Sequence, residues 1–162
     1  MTRTITVHLA GANRDLADIV RLFRAYEASI DTDLCFQGFD AEVASLPGKY
    51  APPKGALLMA RTPRGQPIGC VAVRPIEGDG VCEMKRLYVA PEGRGAGLGK
   101  ALMQAAIGEA RRIGYREIRL DTLPSMTTAQ ALYRAAGFVR IAPYYGTPVG
   151  GTVFMSLDLT CG

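Results

Sequence analysis

At 162 residues the chain is long enough for one domain that buries roughly two-thirds of its unfolded surface, and 1–162 reads as that single domain. Its 48% hydrophobic and 21% charged residues exclude a disordered polypeptide. No stretch nears about 18 uninterrupted apolar residues, so no membrane span is expected. The net charge of +4 comes from scattered Lys and Arg without a basic run, which argues against a nucleic-acid partner.

Thr4 to Leu9 reads as an opening strand, broken by Gly11-Ala12-Asn13. Its N-terminus lacks a basic-then-apolar leader, so a cytoplasmic protein is expected. Asn13 or Asp15 can cap the next helix, whose apolar face is Leu16, Ile19, Val20, Phe23, Tyr26 and Ile30. Asp31 to Tyr50 is less regular, with a short helix over Asp40 to Ser45 ended by Leu46-Pro47-Gly48. Ala56 to Arg61 and Pro67 to Pro75 are strands joined by the turn Thr62 to Gln66.

Val81 to Val89 is the next strand, followed by Pro91 and the glycines Gly93, Gly95, Gly97 and Gly99. A helical face then runs through Leu98, Leu102, Ala106, Ala110 and Ile113 and stops at Gly114. A glycine-rich turn between a strand and a helix start is an anion site, because the first helical amides are unpaired and carry partial positive charge. Arg94 and Lys100 flank the turn, so a phosphate or pyrophosphate is the expected ligand. Neither the dinucleotide pattern G-x-G-x-x-G nor the P-loop pattern G-x-x-x-x-G-K-[ST] fits any frame here.

Glu117 to Asp121 is another strand, and Ser125 or Thr127 caps a helix marked by Ala129, Leu132, Tyr133 and Ala136. Phe138 to Ile141 and Thr152 to Leu159 close the chain, separated by a loop with Tyr144 and Tyr145. Four cysteines without a C-x-x-C pair and a lone His8 give no metal site. Cys70 and Cys82 lie in apolar runs and read as reduced core thiols.

What does fit is R-x-x-G-x-G, spelled Arg94-Gly95-Ala96-Gly97-Leu98-Gly99, after a strand ending Leu87-Tyr88-Val89. It closely resembles the acetyl-coenzyme A signature of the GCN5-related N-acetyltransferases, the GNAT superfamily. Ala129-x-x-Leu132-Tyr133 followed by Gly137-Phe138 resembles that family's second motif, so the likeness spans about Cys82 to Phe138. It implies an α/β (α+β) GNAT fold, with a mixed, mostly antiparallel sheet of six to seven strands and about four helices. It also implies acetyl-CoA as co-substrate, an amine as acceptor, and a homodimer as one assembly found in the family. Leu87, Tyr88 and Val89 would pair with the pantetheine arm, and Arg94 to Lys100, with Leu98 and Gly99 among them, would hold the pyrophosphate. Met126 stands where relatives often carry Asn, which leaves one coenzyme contact open.

Acetyl transfer to an amine needs a neutral amine, a donor for the developing oxyanion and, at need, a proton for the thiolate. A lysine-like amine is only about one part in a few thousand neutral at pH 7, a cost of roughly 4–5 kcal/mol. The resemblance assigns the thiolate's proton to Tyr133, which by spacing alone is a core aromatic. It assigns the base to Glu83, which otherwise reads as an exposed strand carboxylate paired with Lys85 or Arg86. Strict alternation puts Glu83 on the face of Leu87 and Val89, about 13 Å from Leu87. The acceptor wall would carry Phe36, Gln37 and Phe39 among Asp31, Asp33, Asp40 and Glu42, with Tyr144 and Tyr145 closing over it. Such a wall suits a small cationic amine; the other reading is a solvated loop anchored by buried aromatics. No Ser/His/Asp set or Cys–His pair is present, so direct transfer in a ternary complex is preferred. A coenzyme A-binding sensor without catalysis is the alternative from another class.

Overall fold

The structure, a computed structural model, describes residues 5–11, 13–30 and 38–160. Its elements run β1 Thr6–Leu9, α1 Asn13–Ser29, α2 Phe39–Ala44, β2 Ala56–Arg61, β3 Pro67–Pro75, β4 Val81–Val89, α3 Leu98–Ile113, β5 Glu117–Thr122, α4 Thr127–Ala135, β6 Val139–Ile141 and β7 Val153–Asp158. The seven strands form one sheet in the order β1-β2-β3-β4-β5-β7-β6. Every neighbouring pair is antiparallel except β4–β5. Among the described residues no helix is long and apolar enough to cross a membrane.

Two apolar layers sandwich the sheet. On one face Leu98, Leu102, Ala106 and Ala110 of α3 pack with Val71, Val73, Cys82, Met84, Ile118, Leu120 and Tyr133. On the other, Ile19, Leu22 and Phe23 of α1 and Phe39 of α2 pack with Leu57, Met59, Cys70 and Ala72. The expected apolar face of α1 is therefore its buried one, and Cys70 and Cys82 are buried free thiols.

Three local expectations change. Asn13 is the first residue of α1, and Asp15 turns back to accept from the Gly11 amide at 2.7 Å. Met126, not Ser125 or Thr127, precedes α4, and no side chain caps that helix. The third change sits in β4. Cys70 pairs with Tyr88, but Ala72 pairs with Lys85, so Arg86 and Leu87 share one opposing residue. This is a β-bulge, and Arg86 takes φ 59°, alone among the described non-glycine residues in having a positive φ. The extra residue reverses the alternation. Cys82 and Met84 lie in the α3 layer, Leu87 and Val89 pack on that same layer, and Tyr88 packs on the α1 layer. Glu83 therefore sits on the face opposite Leu87 and Val89, against the expectation from strict alternation.

Candidate active site

β4 and β5 pair over only three residues each, ending at Glu83 opposite Arg119. Beyond that point β4 continues to Val89 without its parallel neighbour, and a cavity of about 880 Å³ opens between the strands. Its walls come from Met84 to Val89 of β4, the start of α3, Leu120 to Thr122 of β5, α4 with the loop before it, and Tyr26, Ser29 and Ile30 around the end of α1. The unpaired edge of β4 is backbone that an extended ligand can join as a further strand.

The glycine turn closes one end. Gly97 precedes α3 with φ 70° and contributes no side chain, so the first amides of the helix have no side-chain cap. A Cβ built at Gly95 or Gly97 would meet no atom within 4 Å, so the space beside the turn is open. Arg94, Gly95, Gly97, Leu98, Gly99 and Lys100 all line the cavity; Ala96 is not among its lining residues. At the β5 wall the buried hydroxyl of Thr122 has no hydrogen-bond partner among the described residues. Uncapped amides, two flanking cations and an orphan hydroxyl fit a pyrophosphate with a polar extended arm.

Tyr133 reaches the cavity from α4 and is 7% exposed. Its ring packs 5.7 Å from that of Phe138, so it is a core aromatic and a cavity residue at once. Burial pushes its phenol above the ordinary value, helped by neighbouring Tyr26 and Asp121.

Glu83 does not line the cavity. It is 1% exposed and buried in a polar network on the α1 side of the sheet. Arg74 donates to it through Nε at 2.9 Å, Tyr144 donates its hydroxyl, and Lys85 stands 4.0 Å away. Lys85 reaches Asp121 at 3.1 Å, and the Tyr145 hydroxyl donates to the other oxygen of Asp121. Tyr144 and Tyr145 also meet edge to face and both rest on Phe154. Burial alone would raise the Asp121 carboxyl, but the Lys85 charge and the Tyr145 hydrogen bond hold it below the ordinary carboxylate value. Lys85 and Asp121 line the cavity; Tyr144 and Tyr145 reach it only through this network.

Arg86 is the other buried cation. Glu42 of α2 takes it in a two-pronged pair at 2.9 and 3.0 Å, and its guanidinium lies 4.8 Å from the centre of the Phe39 ring. These contacts hold the positive φ of the bulge. The two described carboxylates of the expected acidic wall are spent in this way. Glu42 binds Arg86, Asp40 binds Arg24 at 2.7 Å, and Phe39 is buried core. Phe36, Gln37, Asp31 and Asp33 lie outside the described residues. Among the described residues lining the cavity, Asp121 is the one carboxylate against four cations, Lys85, Arg86, Arg94 and Lys100.

Spacing pointed to the glycine turn and the family resemblance to Tyr133, but neither placed Arg74, Lys85, Arg86 or Asp121 around the cavity. One signal was available: Glu83-Met84-Lys85-Arg86 puts three charges inside a central strand, where each must find a partner.

The Acetyltransferase (GNAT) family profile matches residues 18–138. An uncharacterized N-acetyltransferase of Schizosaccharomyces pombe is 41% identical over 156 residues, covering 96% of each chain. A Klebsiella pneumoniae protein assigned as an acyl-CoA N-acyltransferase superposes with a TM-score of 0.73 at 30% identity over 98% of both chains. A Salmonella typhimurium acetyltransferase solved with acetyl-CoA as its cofactor shares the fold, with a TM-score of 0.69 at 23% identity over 96% of this chain and 94% of that one.

Proposed function

Because this chain belongs to the GNAT acetyltransferase family, we propose that it moves the acetyl group of acetyl-CoA directly to a primary amine in a ternary complex. The observation that carries this reading is the parting of β4 from β5 beside an uncapped glycine turn, with Tyr133 facing the opening. Acetyl-CoA supplies the activated acyl group. The α3 amides, Arg94 and Lys100 hold its pyrophosphate, and the free edge of β4 at Leu87 to Val89 aligns its arm. A backbone N–H at this edge donates to the oxygen on which charge develops. Tyr133 donates to the departing sulfur.

The cavity's charge supports uptake of the amine in its neutral form. With Arg94 and Lys100 on the pyrophosphate, Arg86 paired with Glu42 and Lys85 with Asp121, an additional ammonium meets no surplus negative charge among the lining residues. Asp121 receives the amine's N–H, and Glu83 is a positioning residue behind it, acting through Lys85, Tyr144 and Tyr145. The assay is thiol release from acetyl-CoA across polyamines, amino acids, aminoglycosides and lysine peptides, against a blank without acceptor. Release with one amine class is expected. Coenzyme binding without release for any class would replace this reading with a sensor, and no binding would remove both.

Gly97 gives a separate test of the cradle. Gly97→Ala forces a side chain into φ 70° and places a methyl in the open space beside the turn. The left-handed backbone costs about 1 kcal/mol, or roughly 2–4 °C in a domain of this size. Titration calorimetry should show acetyl-CoA bound at least ~10-fold more weakly, about 1.4 kcal/mol. Unchanged affinity would remove the turn from the coenzyme site.

A further inference from the structure

A second pocket of about 250 Å³ lies on the α1 side of the sheet, between α2 with its following turn and β3. Glu42, Lys49, Tyr50 and Arg74 border it. Tyr50 is 2% exposed, and its hydroxyl has no hydrogen-bond partner among the described residues. Burial pushes this phenol above its ordinary value, followed by the charge of Glu42. It is therefore a donor at neutral pH; the carboxylate beside it, Glu42, is already held by Arg86 and makes no full hydrogen bond to it.

The other polar groups are biased the same way. Both carboxylate oxygens of Glu42 already accept from Arg86. Arg74 spends Nε and one terminal nitrogen on Glu83, and its remaining terminal nitrogen makes no hydrogen bond with a described residue. Lys49 is exposed at the rim. The pocket offers three donors, and its one carboxylate, Glu42, is already paired with Arg86. Counting Arg74, Arg86 and Lys49 against Glu42 and Glu83 leaves one positive charge in surplus. A phosphate dianion would exceed that charge and face Glu42; a single carboxylate matches both the charge and the donors. The volume is also several times the roughly 30 Å³ of one water.

We propose that the Tyr50–Arg74–Lys49 pocket binds a monoanionic carboxylate beside the reaction cavity. Two ion pairs join it to the transfer site. Glu42 borders the pocket and holds Arg86, which lines the cavity; Arg74 borders the pocket and holds Glu83. The carboxylate belongs either to the acceptor amine itself or to a separate small molecule.

The test is calorimetric titration of butyrate into the full chain saturated with coenzyme A, so that the pyrophosphate cations are covered. Saturable one-to-one binding, absent with butyramide, is expected. Tyr50→Phe removes only the orphan hydroxyl and should weaken butyrate at least ~5-fold. Arg74→Gln should weaken it at least ~10-fold, while Arg111→Ala, at an exposed cation of α3 outside both cavities, leaves it unchanged. No saturable binding to the wild-type chain, or equal binding to Tyr50→Phe, would overturn the site and leave only water beside the phenol. In the acetylation assay, a raised KM for the amine with kcat unchanged assigns the pocket to the acceptor's own carboxylate. Altered kcat with that KM unchanged assigns it to a separate carboxylate. The binding experiment does not depend on turnover, so its failure overturns this site alone, and a failed transfer assay leaves the site standing.

Discussion

Glu83→Ala is expected to unfold more easily than the wild-type chain by about 3 kcal/mol, seen as a drop of roughly 6–12 °C in Tm. The carboxylate is 1% exposed and neutralises Arg74 while accepting from Tyr144. Truncation leaves a half-buried guanidinium without its counter-charge and a half-buried phenol without an acceptor, and each costs more than the pair itself contributed. Glu83→Gln keeps a carbonyl acceptor for Arg74 and sets an amide N–H against Tyr144, whose hydroxyl can turn to accept it, so it should lose about half as much. The figure stays at the lower end of the range for broken buried pairs, because Arg74 keeps 25% of its side chain in solvent. A thermal midpoint for Glu83→Ala within about 2 °C of wild type would mean that water readily replaces the carboxylate. The positioning role would then fall with the stability role, since both need the same rigid contacts.

The elements were legible because each had a strong local cause. Apolar residues recur at helical spacing in α1 and α3, glycine and proline mark the turns, and the β3–β4 hairpin is bounded by Gly78 and Gly80. The glycine turn was legible for the same reason: it lies within seven consecutive residues, Arg94 to Lys100. The polar network was not. Lys85 and Asp121 stand 36 positions apart, Glu83 and Tyr144 61, and Arg86 and Glu42 44. Only the sheet order brings them together. The bulge was hidden for a different reason. Nothing in Lys85-Arg86-Leu87 favours a positive φ at arginine, and the conformation is held by Glu42 and Phe39 from a distant helix. Missing that one residue moved Glu83 to the wrong face. Composition likewise counts Asp40 and Glu42 as acidic but does not show that each already holds a cation.

Tyr133→Phe is expected to lower kcat by about tenfold to a hundredfold while the coenzyme binds as before. The size follows from what the phenol can do. Burial raises its pKa above the ordinary value near 10, whereas a free thiol titrates near 8.5. Complete proton transfer from Tyr133 to the departing thiolate is therefore uphill. What remains is a hydrogen bond from a neutral donor to a sulfur that gains charge, in a site where water does not compete. Hydrogen bonds to charged groups contribute about 1.5–3 kcal/mol, which gives the stated loss. The pH dependence separates the two roles. The raised pKa keeps the phenol protonated through pH 10, so Tyr133 contributes no falling limb to the rate below that value. As a hydrogen-bond donor it should leave a ratio of wild-type to variant kcat that is flat from pH 7 to pH 9.5, where the amine's own deprotonation raises both rates together. A ratio that collapses toward one as pH passes about 8.5 would show instead that the phenol hands over its proton in full, because a thiolate that leaves unprotonated at high pH would no longer need it. A variant with unchanged kcat throughout would return Tyr133 to the core, where its contact with Phe138 already gives it a place.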